Sequence, residues 1–421
     1  MSAMTSQTRR RLLAGDFGRF WLGQTISNLG SSFTVFALPL LVFKLTGSPL
    51  NLGVTTACEF VPYLLFGLVI GAWVDRLERR RLMIATDLAR AAVIATIPLL
   101  ADVGALSVLW VYAVAFASST LTIAFDAAEF AAIPSLVPDG GDLVGANGRV
   151  QASYSAAQVA GPLLAGLLIT AVPVQQVLLV DAASFLVSAG TLLLVSRSFN
   201  APGDQPARRA IRHEVAEGLR YVLRHPVLRN ISAMMALINL ASTSVYGQLV
   251  VFAKRQLHAS DSRVALLYSA GSAGVVLLSL AAGPARRRLS FSVAALGALA
   301  LDGLLTVALA ATRWYWPALV LWAAISGLGL FFNINTISLR QQIVPNHLLG
   351  RIMSIAGVLA WSAIPVGALL GGWAVERTGS VALVYAVVGA LVAGIALAFS
   401  LGPLGHAARY LPAVPEAADT P

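Results

Sequence analysis

The chain has 421 residues, 57% of them hydrophobic and only 11% Asp, Glu, Lys or Arg, with a mean hydropathy of +0.78. A soluble domain carries charge on roughly a quarter of its residues, so most of this surface must face something other than water. The net charge of +10 would suit nucleic acid in a soluble protein, but here the arginines fall in short segments between apolar runs, where they set membrane topology; no nucleic-acid partner is expected.

The first residues, MSAMTSQTRRRLLAGDFGRF, are polar and basic without a short apolar core and cleavage site, and read as a cytoplasmic tail over 1–17. Twelve apolar segments follow, at about 18–43, 51–73, 82–101, 106–129, 147–171, 174–196, 229–253, 263–283, 290–311, 314–334, 350–375 and 380–403. Each is long enough to cross a ~30 Å hydrocarbon core as a helix, and the bilayer demands helices because every backbone amide must be satisfied within its segment. The fold expected is therefore an all-α polytopic membrane protein with twelve transmembrane helices in two six-helix bundles, 18–196 and 229–403. A central cytoplasmic loop over 197–228 joins them, and a C-terminal tail occupies 404–421.

Several spans carry polar residues at helical spacing. Span 1 offers Gln24, Asn28 and Ser31; span 4, Ser118, Ser119 and Thr122; span 5, Gln151, Tyr154 and Gln158; span 7, Asn239, Thr243 and Tyr246; span 10, Asn333 and Asn335. Ionisable residues inside spans cost ~2.5–3.5 kcal/mol each on insertion scales, and the candidates are Glu59, Asp181 and Asp302. Glu59 lies some 13 Å along span 2, at ~1.5 Å per residue, where a carboxylate can exchange protons. Asp181 and Asp302, on spans 6 and 9, would need structural partners at such a depth.

The central loop opens with SFNAPGDQPARR, a flexible linker. It continues as IRHEVAEGLRYVLRHP, with Ile211, Val215, Leu219 and Val222 on one helical face. Such a helix fits the membrane surface or the protein's own cytoplasmic face. Most of the 29 basic residues fall on one side when both termini are cytoplasmic, including Arg9 to Arg11, Arg19, the group at 76–90, Arg149, Arg286 to Arg288, Arg340, Arg351 and Arg409. Lys44, Lys254, Arg255, Arg263, Arg313 and Arg377 fall near the outer ends. The lone cysteine, Cys58, leaves no disulfide framework. SLVPDGGDLVGANGRV before span 5 is echoed by QQIVPNHLLGRI before span 11, and GPLLAGLL by GALLGGWA, which suggests two related halves around a midplane site.

Between spans 2 and 3 the chain reads GAWVDRLERRR, with Gly71, Asp75, Arg76 and Arg79. This resembles the loop signature of the major facilitator superfamily. The resemblance implies a conformational latch in which Asp75 meets the N-terminal end of span 11 and Arg79 pairs with Asp126 or Glu129 at the end of span 4; a carboxylate at a helix N-terminus is physically sound. Span 5 carries Gly148, Ala157, Gly161, Pro162, Ala165 and Gly166 at the spacing of the drug:proton antiporter signature, with Ala for Gly at 157 and 165. Small residues let a neighbouring helix approach, and Pro162 bends its own helix. LTGSPLNLGV, VDAASFLVSAG and EGLRYVLRHPVLR widen the resemblance to the branch holding macrolide-efflux proteins and enterobactin-type siderophore exporters.

The resemblance implies a central cavity lined by spans 1, 4, 7 and 10, and a monomer in a bacterial plasma membrane. It implies proton-coupled efflux of a small amphipathic molecule, with the proton gradient instead of a cofactor as energy source and Glu59 as the candidate coupling acid. Import or uniport remains an alternative. A membrane-embedded enzyme or receptor is disfavoured: the sequence has no phosphate-binding GxxxxGK[ST], no HExxH, and five scattered His at 213, 225, 258, 347 and 406.

Overall fold

The computed structural model describes residues 15–74, 76–137, 143–200, 219–288, 290–344 and 346–407. Asp75, Ile211, Val215 and the tail residues 1–14 and 408–421 lie outside them. Among the described residues the chain is helical throughout its apolar segments. The helices are α1 (Asp16–Thr46), α2 (Pro49–Val74), α3 (Arg79–Asp102), α4 (Val108–Leu136), α5 (Leu143–Leu168) and α6 (Val174–Leu193), then α7 (Pro226–Gly247, continued by Leu249–Val251 and a π-helical turn, Phe252–Gln256) and α8 (Asp261–Arg288). They end with α9 (a π turn, Ser292–Leu296, continued by Gly297–Ala311), α10 (Tyr315–Ile343), α11 (Asn346–Trp361 continued by Ala363–Thr378) and α12 (Val381–Ser400). Among the described residues, ten of these rods are long and apolar enough to cross a bilayer.

Local chemistry sets the ends. Glu78 and Ser107 accept from the amides of Arg81 and Trp110 and cap α3 and α4, and Ser380 caps α12 through the Leu383 amide. Gly47 ends α1 at φ 62°, a left-handed conformation that suits glycine. At the other end of the same rods, arginines satisfy the last carbonyls. Arg80 donates to Leu192 and Leu193 at 2.9 and 2.6 Å, and Arg19 to Leu194 at 2.9 Å. The basic belt thus does more than set topology: it caps α6.

The chain packs as two units. One gathers α1–α6 with the segments Gly247–Ser272 and Ala368–Gly379; the other holds the remainder of α7–α12. In the first, α1 lies along α6 on a seam of small residues. A Cβ on Gly23 or Gly30 would overlap the hydroxyls of Thr191 or Ser184. In the second, α9 and α12 pair the same way, where a Cβ on Gly303 would lie 2.5 Å from the Gly389 oxygen. The end of the central loop, 219–224, is helical. Val222 is buried with Leu228, Val344 and Ile352, so this segment rests on the protein's own surface and not on lipid.

Candidate functional site

The polar stripe of α1 is largely spent on α6. Gln24, 2% exposed, donates to Ser188 at 3.1 Å; Ser31 donates to Asp181 at 3.2 Å, joined there by Thr34. Asp181 is buried and fully engaged, as a carboxylate at that depth requires. Asn28 and Ser31 are half-buried, and the Asn28 backbone carbonyl accepts from Ser32. The sequence pattern was real, but periodicity cannot say whether a polar face meets a cavity or a neighbouring helix.

The α7 stripe divides similarly. Asn239 donates to the Ala360 carbonyl of α11 at 2.8 Å, and Thr243 bonds back to Asn239. The Tyr246 ring sits 5.1 Å from Trp322, and its hydroxyl reaches Ser326. Gly329 makes room there: a Cβ on it would lie 3.3 Å from that hydroxyl and 3.8 Å from Asp302. On α10, Asn333 is half-buried, whereas Asn335 is wholly buried, donating to Phe331 with its Oδ1 unpartnered.

The residues that do meet around open space are on α4 and α5. Asp126, Glu129, Phe130 and Ile133 face Asn147, Gly148, Val150 and Gln151 across a cavity of about 530 Å³. Asp126 is exposed to it, while one oxygen of Glu129 is buried without a hydrogen-bond partner. Tyr154, 46% exposed, and half-buried Gln158 continue the α5 face. Glu59 on α2 is half-buried; its backbone carbonyl accepts from Ser119 of α4, and its carboxylate lies within electrostatic reach of the Tyr63 and Tyr268 hydroxyls. Asp126 is within electrostatic reach of the same Tyr63 hydroxyl. Ser118 has a buried, unpartnered hydroxyl, and Thr122 is half-buried beside it. Among the described residues no three His, Cys, Asp or Glu gather as a metal site.

Arg79 and Arg90 depart from expectation. Arg79 is buried, and its guanidinium donates to the Ala131 and Phe199 carbonyls at 3.2 and 3.1 Å. No ion pair joins it to Asp126 or Glu129 among the described residues, because the end of α4 offers its backbone oxygens closer to the loop. Gly71 closes α2 and Arg76 is exposed beyond it. Arg90, counted with the cytoplasmic group, instead lies ~16 Å inside α3 at 1.5 Å per residue. It is 5% exposed, bonds Asp87 at 2.5 Å, and is clamped between the Phe125 and Phe185 rings, 4.3 Å from each centroid. The signal was in the sequence: Asp87 and Arg90 stand three apart within an otherwise apolar run, a pair that the adjacent basic loop obscured.

The α5 signature is a packing face. Gly161 and Gly166 are buried, and a Cβ on either would overlap Ser32 of α1 or Ala265 of α8; Ala157, Pro162 and Ala165 are buried on the same side. Gly148 has open space around it and belongs to the cavity. Six spans later the arrangement returns. A Cβ on Gly367 would overlap Leu240 of α7, and one on Gly372 would stand 2.7 Å from the Pro49 oxygen beside α2. So α5 meets α1 and α8, and α11 meets α7 and α2, as two related halves require.

Residues 20–254 match the family model described as Major Facilitator Superfamily. The chain belongs to this superfamily. It is accordingly a multi-pass membrane transporter of a family that is not enzymatic. Among superfamily relatives, it is 27% identical to the multidrug efflux pump Tap of Mycolicibacterium fortuitum, over 89% of this chain and 92% of that one. It is 25% identical to macrolide efflux protein A of Streptococcus pyogenes, over 86% and 90%. The crystal structure of the nucleoside transporter NupG (D323A mutant) shares the fold with a TM-score of 0.77 at 12% identity, covering 92% of this chain and 99% of that one.

Proposed function

We propose that this superfamily member exports a small amphipathic compound from the cytoplasm by alternating access, driven by proton entry, with both termini cytoplasmic in a bacterial plasma membrane. The observation that carries this reading is the acid-lined cavity between α4 and α5. A 530 Å³ space is the size of a drug-like ligand site. Apolar Phe130 and Ile133 beside Asp126, Glu129 and Gln151 suit a molecule with both greasy and polar faces. The relatives named as multidrug and macrolide efflux pumps align over most of their length, which supports export over import.

Proton coupling needs a carboxylate that can bind and lose a proton without unfolding the protein. Asp181 is held by three hydroxyls and is poorly suited. Glu59, by contrast, has no ion-pair partner among the described residues. Glu59 and Asp126 are both within electrostatic reach of the Tyr63 hydroxyl, which links Glu59 electrostatically to the acid-lined cavity. Drug-sensitive bacteria expressing the protein should accumulate less macrolide than the empty host, and a protonophore should remove the difference. Greater accumulation in expressing cells would favour import, and protonophore-insensitive equilibration would favour uniport.

A further inference from the structure

The sequence uses two lysines against twenty-seven arginines, and both lysines meet at one carboxylate. Lys44, in the last turn of α1, and Lys254, in the π turn of α7, pair with opposite oxygens of Asp261, the first residue of α8. Beside them the short connection from α1 to α2 is gripped at three more points. Arg255 donates to the Gly47 carbonyl at 2.7 Å and Gln248 to the Pro49 carbonyl at 2.9 Å. Glu376 of α11 accepts from the Ser48 hydroxyl at 2.7 Å and the Leu50 amide at 3.2 Å. All of this lies at the end of the rods opposite Arg79 and Arg80.

We infer that residues 44–50 and these partners form a releasable clasp, closing the transport route at that end of the helices, with Asp261 as the group that lets go. Three features make the clasp reversible. The first is the choice of cation. Arg79 and Arg80, which hold helix ends at the opposite side, each contact more than one acceptor with a rigid fork. A lysine is a compact charge on a flexible stem, and releases without breaking a paired geometry.

The second is the shared carboxylate. Lys254 also donates to the Ala259 carbonyl at 3.0 Å, so it belongs to the α7–α8 hairpin that carries Asp261. When Lys44 departs with α1, Asp261 keeps one cation and no buried charge is stranded. The Lys44, Lys254 and Asp261 side chains are 43%, 20% and 26% exposed, so water competes for both pairs and keeps them weak.

The third is a borrowed helix cap. Glu376 satisfies an amide in the first turn of α2 from another element, where a carboxylate also suits the helix dipole. Ser48 already accepts from the Asn51 amide at 3.3 Å, so α2 retains its own cap after Glu376 leaves. Small residues keep the apolar part of the contact shallow: a Cβ on Gly53 would overlap the Ala368 carbonyl, and Gly372 faces Pro49.

The two lysines are native reporters of this clasp. Purified full-length protein in detergent is treated with sulfosuccinimidyl acetate, and acetylation at Lys44 and Lys254 is followed by peptide mass spectrometry. Ion-paired ammonium groups react slowly, so Asp261→Asn should raise the Lys44 rate severalfold. The discriminating variant is Glu376→Gln, which touches neither lysine. If the contacts act as one clasp, weakening Glu376 raises Lys44 acetylation at least twofold, with thermal stability near wild type. A Lys44 rate unchanged in Glu376→Gln, with Asp261→Asn still raising it, would mean independent surface contacts and would overturn the clasp. The inference rests on the transporter reading only for its purpose. The labelling is independent of what is carried, so failure of the export assay leaves this result standing and failure here leaves export untouched.

Discussion

A Cβ on Gly372 would stand 2.7 Å from the carbonyl oxygen of Pro49, and the equivalent glycine six spans earlier, Gly166, is pressed as closely against Ala265. Each contact carries one half's small-residue helix to a helix of the other half's sequence. Gly372→Leu and Gly166→Leu should each destabilise the protein, by the ~1–3 kcal/mol typical of overpacking, and lower transport together with the melting temperature. Gly148→Ala, in open space, should leave the melting temperature unchanged. Thermal unfolding of the three purified variants separates packing glycines from the cavity glycine.

The α1–α6 seam makes a second prediction. Gln24 is bonded to Ser188 in the interior, whereas Gln151 faces the α4–α5 cavity. Gln24→Ala should cost ~1 kcal/mol of stability with cargo preference unchanged. Gln151→Ala should alter apparent affinity for cargo with little loss of stability. A Gln24 variant that shifts the spectrum of exported compounds at full stability would return α1 to the cavity.

Arg90 supplies the third. Removing one member of a buried ion pair costs ~3–5 kcal/mol, because the other charge is left uncompensated. Asp87→Asn or Arg90→Gln alone should therefore reduce folded protein sharply. The double variant should recover part of the loss, since neither charge remains buried. Arg90→Lys keeps the charge but loses planar stacking between Phe125 and Phe185 and should fall between wild type and Arg90→Gln. Yield and melting temperature across this set give the coupling directly.

The fold was legible in the sequence because bilayer thickness and backbone hydrogen bonding leave one solution for a long chain of apolar segments. The repeat between GPLLAGLL and GALLGGWA likewise announced matching close approaches, at Gly161 and Gly367 to Ser32 and Leu240, and at Gly166 and Gly372 to Ala265 and Pro49. The division of labour among polar residues was hidden. Gln24 and Ser31 look the same in a helical wheel whether they meet a cavity or α6, and only the glycines at 23 and 30, seen against Thr191 and Ser184, decide it. Arg90 was masked by its neighbours at 76–81, since charge density near a loop suggests topology regardless of depth. The joint at Lys44, Asp261 and Lys254 spans more than two hundred residues of sequence, and no local pattern marks it.

If proton movement through Glu59 drives export, the effect is read in pH-driven uptake into inside-out proteoliposomes. Wild type and Glu59→Gln are reconstituted at equal density, an interior-acid pH gradient is imposed, and accumulation of a labelled macrolide is followed with and without the gradient. Gln retains the size and hydrogen-bonding capacity of the carboxyl but cannot carry the proton. Wild type should accumulate macrolide above the external concentration, and the accumulation should collapse when the gradient is dissipated. Glu59→Gln should show only downhill equilibration, with yield and melting temperature near wild type. Uphill accumulation by Glu59→Gln at the wild-type rate would contradict proton coupling through Glu59.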